Sequence, residues 1–320
     1  MSPYGSQGSL MLVTDSMTDR TGEEAGDFSI EGTRTTLDAA CRQAGFDPTN
    51  AALIRIGENA LYRLTTAPVV VRIARAMDHW NQARKEVAVA KWLSEVEYPG
   101  ALVVDLPAQP IEINGHPVTF WQFITGDEAM PEDVSTLAQL LRRFHALPVP
   151  ERFDLPKFEV DQRVVKRLEK SPVSTADKDY LLAKFEEVCQ EVADLDFPLS
   201  ESPIHGDAHI KNVMCSDGNS ILIDFENVGY GQPEWDLAVT ATEYVTAKWW
   251  TDSQYSAFAE SYGYDITAWS GFEVLQQVQE IKMTTWLMQN VNQSSEIAAE
   301  FATRMRTIRS GKRNTAWQPY

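Results

Sequence analysis

Residues 203–238 read P-I-H-G-D-A-H-I-K-N-V-M-C-S-D-G-N-S-I-L-I-D-F-E-N-V-G-Y-G-Q-P-E-W-D-L-A. Three polar side chains, Asp207, Asn212 and Asp224, stand at set separations inside apolar surroundings. Two short apolar runs, Val213-Met214-Cys215 and Ile221-Leu222-Ile223, flank Asp217-Gly218-Asn219, which has the composition of a hairpin turn. Such a hairpin carries Asn212 at one end and Asp224 at the other, so both can face one point in space. Each feature alone is bland. A D-G-N turn is ordinary, and a lone Asp before Phe is more often a strand-end carboxylate than a metal ligand. Their joint order and spacing make chance a poor account.

Phosphoryl transfer needs this arrangement. One Asp holds or deprotonates the attacking hydroxyl, while an Asn and a second Asp hold the magnesium ions that neutralise the nucleotide phosphates. Protein kinases carry H-R-D-x-x-x-x-N followed by D-F-G. Here His205-Gly206-Asp207 and Asn212 keep the Asp-to-Asn spacing, and Ile223-Asp224-Phe225-Glu226 stands where D-F-G would. The H-G-D-x-H-x-x-N and I-D-F-E pair resembles the aminoglycoside phosphotransferase and choline kinase-like family of small-molecule kinases. Its downstream G-x-P-x-x-D-L-A is matched by Gly231, Pro233, Asp236, Leu237 and Ala238.

The resemblance covers the chain from about residue 35 onward and implies an α+β, protein-kinase-like fold of two lobes. Residues 34–124 would form a nucleotide-binding lobe, an antiparallel sheet plus a helix. Residues 125–320 would form a mainly helical lobe for catalysis and acceptor binding. The donor would be ATP or GTP, with two Mg2+ ions, and the acceptor a hydroxyl of a small molecule. An aminoglycoside or amino-sugar is the first expectation, with choline, homoserine, a macrolide or a sugar as alternatives. Asp207 would accept the hydroxyl proton, and Asn212 and Asp224 would hold metal. Asp236 would tie down the loop around His205, with His209 in a like supporting role. Glu226 and, from a late helix, Glu280, Trp286 and Gln289 are candidates for gripping the acceptor. A protein kinase is disfavoured by H-G-D and by a missing A-P-E. A nucleotide-binding pseudokinase is disfavoured by the intact Asp207, Asn212 and Asp224.

Composition bounds these readings. The 320 residues are enough for two compact lobes, and 43% hydrophobic with 10% aromatic content is that of a globular chain. A formal net charge of −18 disfavours nucleic acid or an anionic membrane as partner, and is compatible with a cationic acceptor. Cys41, Cys189 and Cys215 are scattered, which suits a reducing cytoplasm and neither a disulfide framework nor a zinc site. No apolar run approaches the ~20 residues needed to span a bilayer. Residues 1–33 are rich in Ser, Thr, Gly and acidic residues and are expected to form a loosely held tail.

Upstream of the motif, residues 35–45 show helical spacing. Strand-like runs follow at 52–56, 60–65 and 69–74. Gly57-Glu58-Asn59 between the first two takes the place of the loop over the phosphates, so Gly57 and Asn59 are nucleotide-binding candidates. Arg72 stands in a buried strand where the kinase plan has Lys, and a guanidinium can hold phosphate there. Residues 79–96 read as the next helix, with Glu86 as the partner of Arg72. Residues 102–104 begin another strand, and Asn114-Gly115 marks a hairpin within 110–124. Gln122 to Ile124 look like the family's hinge, whose backbone reads the nucleotide base. Five or six antiparallel strands with one helix packed on them are expected.

Downstream, helices are expected at 133–147, 160–170, 175–195, 255–262, 266–290 and 294–309. His145 within the first reads as structural. Met283, Trp286, Leu287 and Asn290 form a stripe that reads mainly as core. Residues 311–320 are expected to run along the surface.

Overall fold

The computed structural model describes residues 28–160, 163–216 and 218–320. Most of the expected tail, and Asp217 of the hairpin turn, lie outside the described residues. The first helix, α1 (Ile30–Ala44), begins earlier than residue 35. Ser29 caps it, accepting the Gly32 N–H at 3.0 Å, and Gly45 closes it at φ 79°. Its first turn escaped the apolar pattern because Thr33 and Thr36 occupy buried positions there, the Thr33 hydroxyl lying 2.8 Å from that of Tyr62.

Strands β1 (Ala52–Ile56), β2 (Asn59–Arg63), β3 (Val69–Ala74), β4 (Ile111–Ile113) and β5 (His116–Gln122) form an antiparallel sheet in the order β1-β2-β3-β5-β4. The β4–β5 turn has Asn114 at φ 52° and Gly115 at φ 78°, the left-handed pair a two-residue hairpin demands. Residues 102–104 do not form a strand. β4 already pairs with β5 at residues 116–118, and only a single bridge, Val103 to Trp121, fits beyond it. Helix α1 covers the sheet with Leu37, Ala40 and Cys41. Helix α2 (Trp80–Glu95) instead lends Val89, Ala90, Trp92 and Leu93 to the core of the second lobe. Two helices, not one, therefore serve the first lobe, and α2 is shared.

The second lobe has helices α3 (Val134–His145), α4 (Arg163–Lys170), α5 (Thr175–Ala193), α6 (Glu234–Thr242), α7 (Asp252–Tyr262), α8 (Phe272–Met288) and α9 (Ser295–Ser310). Two small sheets join them. Strand β6 (Asp127–Glu128) pairs with β8 (Val213–Ser216), which pairs with β9 (Asn219–Leu222); β7 (Ser202–Ile204) pairs with β10 (Gly229–Gly231). Residues 266–290 are not one helix. A 3-10 turn at Ile266–Ala268 precedes Gly271, where a Cβ would stand 2.2 Å from the Trp269 ring, so the chain bends tightly before α8. A core of α4, α5, α8 and α9 residues lies apart from the main one.

The last residues do not simply lie on the surface. Trp317 is 1% exposed, its indole donates to the Thr307 hydroxyl at 3.2 Å, and its N–H donates to the Ala247 carbonyl at 3.1 Å. A single aromatic anchor in a polar segment leaves no periodic signal in sequence. Among the described residues no helix is long and apolar enough to cross a membrane.

Candidate active site

Strand β7 ends at Ile204 and delivers His205-Gly206-Asp207 to the cleft between the lobes. The loop is held by the buried Asp236 at the start of α6. Its Oδ2 accepts the His205 N–H and its Oδ1 the Gly206 N–H, each at 2.7 Å. His145 Nε2 lies 2.8 Å from Asp236 Oδ2, and its Nδ1 lies 2.8 Å from the Tyr262 hydroxyl. Burial would raise the Asp236 carboxyl, but His145 and these loop N–H bonds hold it below its ordinary value. Gly206 sits at φ 81°, and a Cβ there would come 2.4 Å from the Asn227 carbonyl. Only glycine allows this approach.

The hairpin behaves as its pattern requires. Val213 pairs with Leu222, and the Ile223 N–H donates to the Asn212 carbonyl at 2.9 Å, so Asn212 and Asp224 end on one side. The Asn212 amide donates to the Asp207 carbonyl at 2.9 Å, which joins the third residue to them. His205 Nε2, 2.9 Å from the Ile223 carbonyl, binds the two loops together. Asp207 keeps 36% of its side chain exposed toward the cleft. Burial would raise its carboxyl, yet the basic neighbours His209, Lys282 and Arg163 pull it below the ordinary value, so it is ionised near neutrality. Burial pushes His209 down to about 4, leaving it neutral and able to accept from the Asn212 amide at 3.2 Å.

Asp224 is the unbalanced member. It stands at φ 66°, unusual for a residue other than glycine. Its Oδ1 is buried with no hydrogen-bond partner among the described residues. Burial raises its carboxyl well above the ordinary range, Glu226 adds to this, and Arg72 opposes it without cancelling it. A cation fits this vacancy of charge. Among the described residues no three His, Cys, Asp or Glu side chains converge into a metal cage.

Arg72 lies across the cleft, its Nη1 2.5 Å from Glu86 and its Nη2 3.7 Å from Glu226. Asn59, with its amide oxygen turned toward the guanidinium, accepts from it at 2.9 and 3.2 Å. Burial opposes the Arg72 charge, but Glu86, Glu226 and Asp224 outweigh it. Gly57 forms the β1–β2 turn, with open space where a Cβ would stand, and its carbonyl accepts from Arg75 at 2.9 Å. At the hinge the Gln122 and Phe123 N–H groups are committed to the Leu102 and Pro68 carbonyls, each at 2.8 Å. The Ile124 backbone makes no hydrogen bond to a described residue.

The acceptor candidates separate. Glu226 joins the cleft, where it also holds Arg163 at 2.7 Å and Gln82 at 2.8 Å. The other three do not. Glu280 is buried and engaged by Arg313 at 2.6 Å and the Thr246 hydroxyl at 2.7 Å. Trp286 packs into the α4, α5, α8 and α9 core, and Gln289 is exposed with its amide on the Trp286 carbonyl. A cavity of about 160 Å³ lies beside Gly206, bounded by Lys85, Phe158, Arg163, Glu226 and Lys282 among others. Of α8 it is Lys282, which the sequence reading did not single out, that lines this cavity. That residue is two positions from Glu280 and therefore on a different face.

Fold and site together define a two-lobed phosphotransferase. The sequence profile of the phosphotransferase enzyme family matches residues 53–275, more than half of the chain, and the chain belongs to that family. No curated protein sequence matches the chain. Among solved structures it is similar to the amicoumacin kinase hAmiN in complex with AMP-PNP, Ca2+ and Ami. That match has 16% identity and a TM-score of 0.70, covering 89% of this chain and 96% of the other. The aminoglycoside phosphotransferase APH(3'')-Id from Streptomyces rimosus matches at 20% identity and TM-score 0.56, over 79% of this chain and 98% of the other. The choline kinase LicA from Streptococcus pneumoniae matches at 15% identity and TM-score 0.59, over 88% and 99%. Identities this low establish the shared fold alone.

Proposed function

We propose that the protein moves the γ-phosphate of ATP or GTP onto a hydroxyl of a small molecule, with Asp207 as the residue that accepts the hydroxyl proton. One observation carries the reading: Asn212, Asp207 and a buried Asp224 oxygen without a partner lie on linked loops at one place. Asn212 and Asp224 would hold Mg2+, which when bound neutralises phosphate charge. The AMP-PNP and Ca2+ of the amicoumacin kinase support a nucleotide and a divalent ion here. Residues 34–124 make the nucleotide lobe, with Gly57 and Asn59 over the phosphates, Arg72 braced by Glu86 against them, and the Gln122 to Ile124 backbone at the base. Residues 125–320 carry the catalytic loop, with His205, His209 and Asp236 positioning it.

Asp207, ionised and facing the cleft, takes the proton as the acceptor oxygen bonds to phosphorus and the bond to the departing nucleoside diphosphate breaks. Positioning and charge neutralisation suffice, and no covalent enzyme intermediate is needed. The three free cysteines suit a reducing cytoplasm. An aminoglycoside or amino-sugar acceptor has the family and the bulk acidity in its favour. The residues lining the cavity beside Asp207 argue otherwise, as developed next. Diphosphate release from ATP and GTP over a panel of small alcohols tests the reading. Release should need an acceptor, Mg2+ and an intact Asp207; an Asp207→Asn variant with full turnover would refute it.

A further inference from the structure

We infer that the cavity beside Gly206 seats an oxyanion, so that the acceptor is a hydroxyl compound bearing a carboxylate or a phosphate and not a polycation. This rests on the phosphotransferase reading and names the acceptor class. Among the described residues four cationic side chains line the cavity, Lys85, Lys157, Arg163 and Lys282, against two carboxylates, Glu159 and Glu226. The local sign is thus opposite to that of the whole chain at −18. The four come from α2, the segment before α4, α4 itself and α8, so no single helical stripe explains them.

Of the four, Lys85 and Lys282 have no carboxylate contact among the described residues. Glu226 is shared between Arg163 at 2.7 Å and Arg72 at 3.7 Å. Lys85 donates to two backbone carbonyls, Glu226 at 2.5 Å and Val228 at 3.0 Å, which leaves its charge without a carboxylate contact. Lys282 is half-buried, and its ammonium makes no hydrogen bond or ion pair with a described residue, though it offers three donors. Removing an ammonium from water without a partner is costly, and a bound oxyanion would offset that cost.

The neighbourhood fixes where the ligand's hydroxyl would go. Gly206 lines the cavity and Asp207 follows it, so a hydroxyl one short carbon arm from the anion would meet the Asp207 carboxylate. The volume, about 160 Å³, is close to the roughly 150 Å³ void that holds a benzene molecule, which suits such a fragment. An acceptor ammonium in the same place would face four like charges.

The test compares matched compounds on the full chain with Mg·ATP: glycerol, glycerate and glycerol 3-phosphate; glucose, gluconate and glucose 6-phosphate; and kanamycin and choline. Binding is followed by tryptophan fluorescence and turnover by ADP release. Anionic members should bind better than their neutral counterparts, the carboxylate and phosphate arms telling which source the site prefers. Lys282→Ala should weaken binding of the preferred anion about ten- to a hundred-fold, with Lys282→Glu worse and Lys282→Arg partly restored. Lys312→Ala, an exposed lysine elsewhere, should leave it unchanged. Preference for kanamycin or choline, no binding of any anion at millimolar concentration, or anion binding indifferent to Lys282→Ala would each overturn the inference. If no compound releases ADP in an Asp207-dependent way, the phosphotransferase reading is what fails, and the binding arm still decides the anion site.

Discussion

Two buried arginine–glutamate clusters show how alike residues serve different ends. In the C-terminal lobe, Arg304 is 2% exposed and fully engaged. It holds Glu300 at 2.8 Å and the Met283 and Gln318 carbonyls at 3.0 and 2.8 Å, and lies over the Trp317 ring. One cation meets one anion, and every donor group points at protein. In the cleft, Arg72 is 19% exposed and faces three carboxylates, Glu86, Glu226 and Asp224, one of which has an orphaned oxygen. The first cluster is closed. The second leaves one carboxylate oxygen, on Asp224, that no described residue meets. An unbalanced buried cluster marks a site, whereas a balanced one marks a fold element.

Asp207→Asn offers the sharpest break within the cleft. It keeps the size of the side chain and removes the basic oxygen, so kcat should fall by ~10²–10⁴ with nucleotide affinity and melting temperature near wild type. A variant that loses ATP binding instead would make Asp207 a structural residue.

Arg304→Met should act in the opposite way. Leaving Glu300 buried without its cation should cost about 3–5 kcal/mol of stability. Urea unfolding should register this, while turnover per folded molecule stays at the wild-type level. Reduced turnover with undiminished stability would erase the distinction between the clusters.

Arg72→Met should raise the nucleotide KM and lower kcat together, by about ten- to a hundred-fold overall. Its effect on unfolding should be smaller than that of Arg304→Met, because Arg72 is 19% exposed and water can reach the carboxylates it leaves, whereas Arg304 is 2% exposed. Arg72→Lys should keep part of the activity, as a point charge without the fork. Wild-type kinetics in Arg72→Met would reduce the residue to a strand charge.

The smallest expected effect concerns Asp224 and pH. Its carboxyl is raised in the folded state, so the folded chain holds that proton more tightly than the unfolded chain does. Its contribution to stability is present below the ordinary value of 3.8 and is lost as pH rises through the raised value. Melting temperature of the metal-free wild type should therefore fall with pH relative to Asp224→Asn. Mg2+ with nucleotide should narrow that difference by supplying the missing charge. Parallel pH curves for the two proteins would show that Asp224 is not the strained carboxylate described here.

The helix and strand order of most of the chain was legible because local signals agree with the fold. The Asn114-Gly115 turn, the Gly45 cap and the alternating strands each point the same way. The places misread have no local signal. Residues 102–104 look like a strand but meet β5 at one bridge only, Val103 to Trp121, beyond the stretch that pairs with β4. Gly271 interrupts a helical pattern because of where the Trp269 ring lies. Trp317 is buried by residues of α9 and of the turn after α6, a burial that its polar neighbours in sequence do not announce.

For the site, the sequence by itself determined which residues cluster on the catalytic and hairpin loops. Asp207, Asn212 and Asp224 are close along the chain, and a hairpin of fixed register converts that spacing into position. The Arg72–Glu86 pair was also readable, from one strand and the helix after it. The lining of the cavity beside Gly206 came together only on folding. Lys85, Arg163 and Lys282 lie far apart in sequence, each on a helix whose other faces are unremarkable, and Glu280, attractive by position, turned instead toward Arg313. Charge is summed over space and not along the chain, so an acidic protein can hold a basic cavity that no window of its sequence reveals.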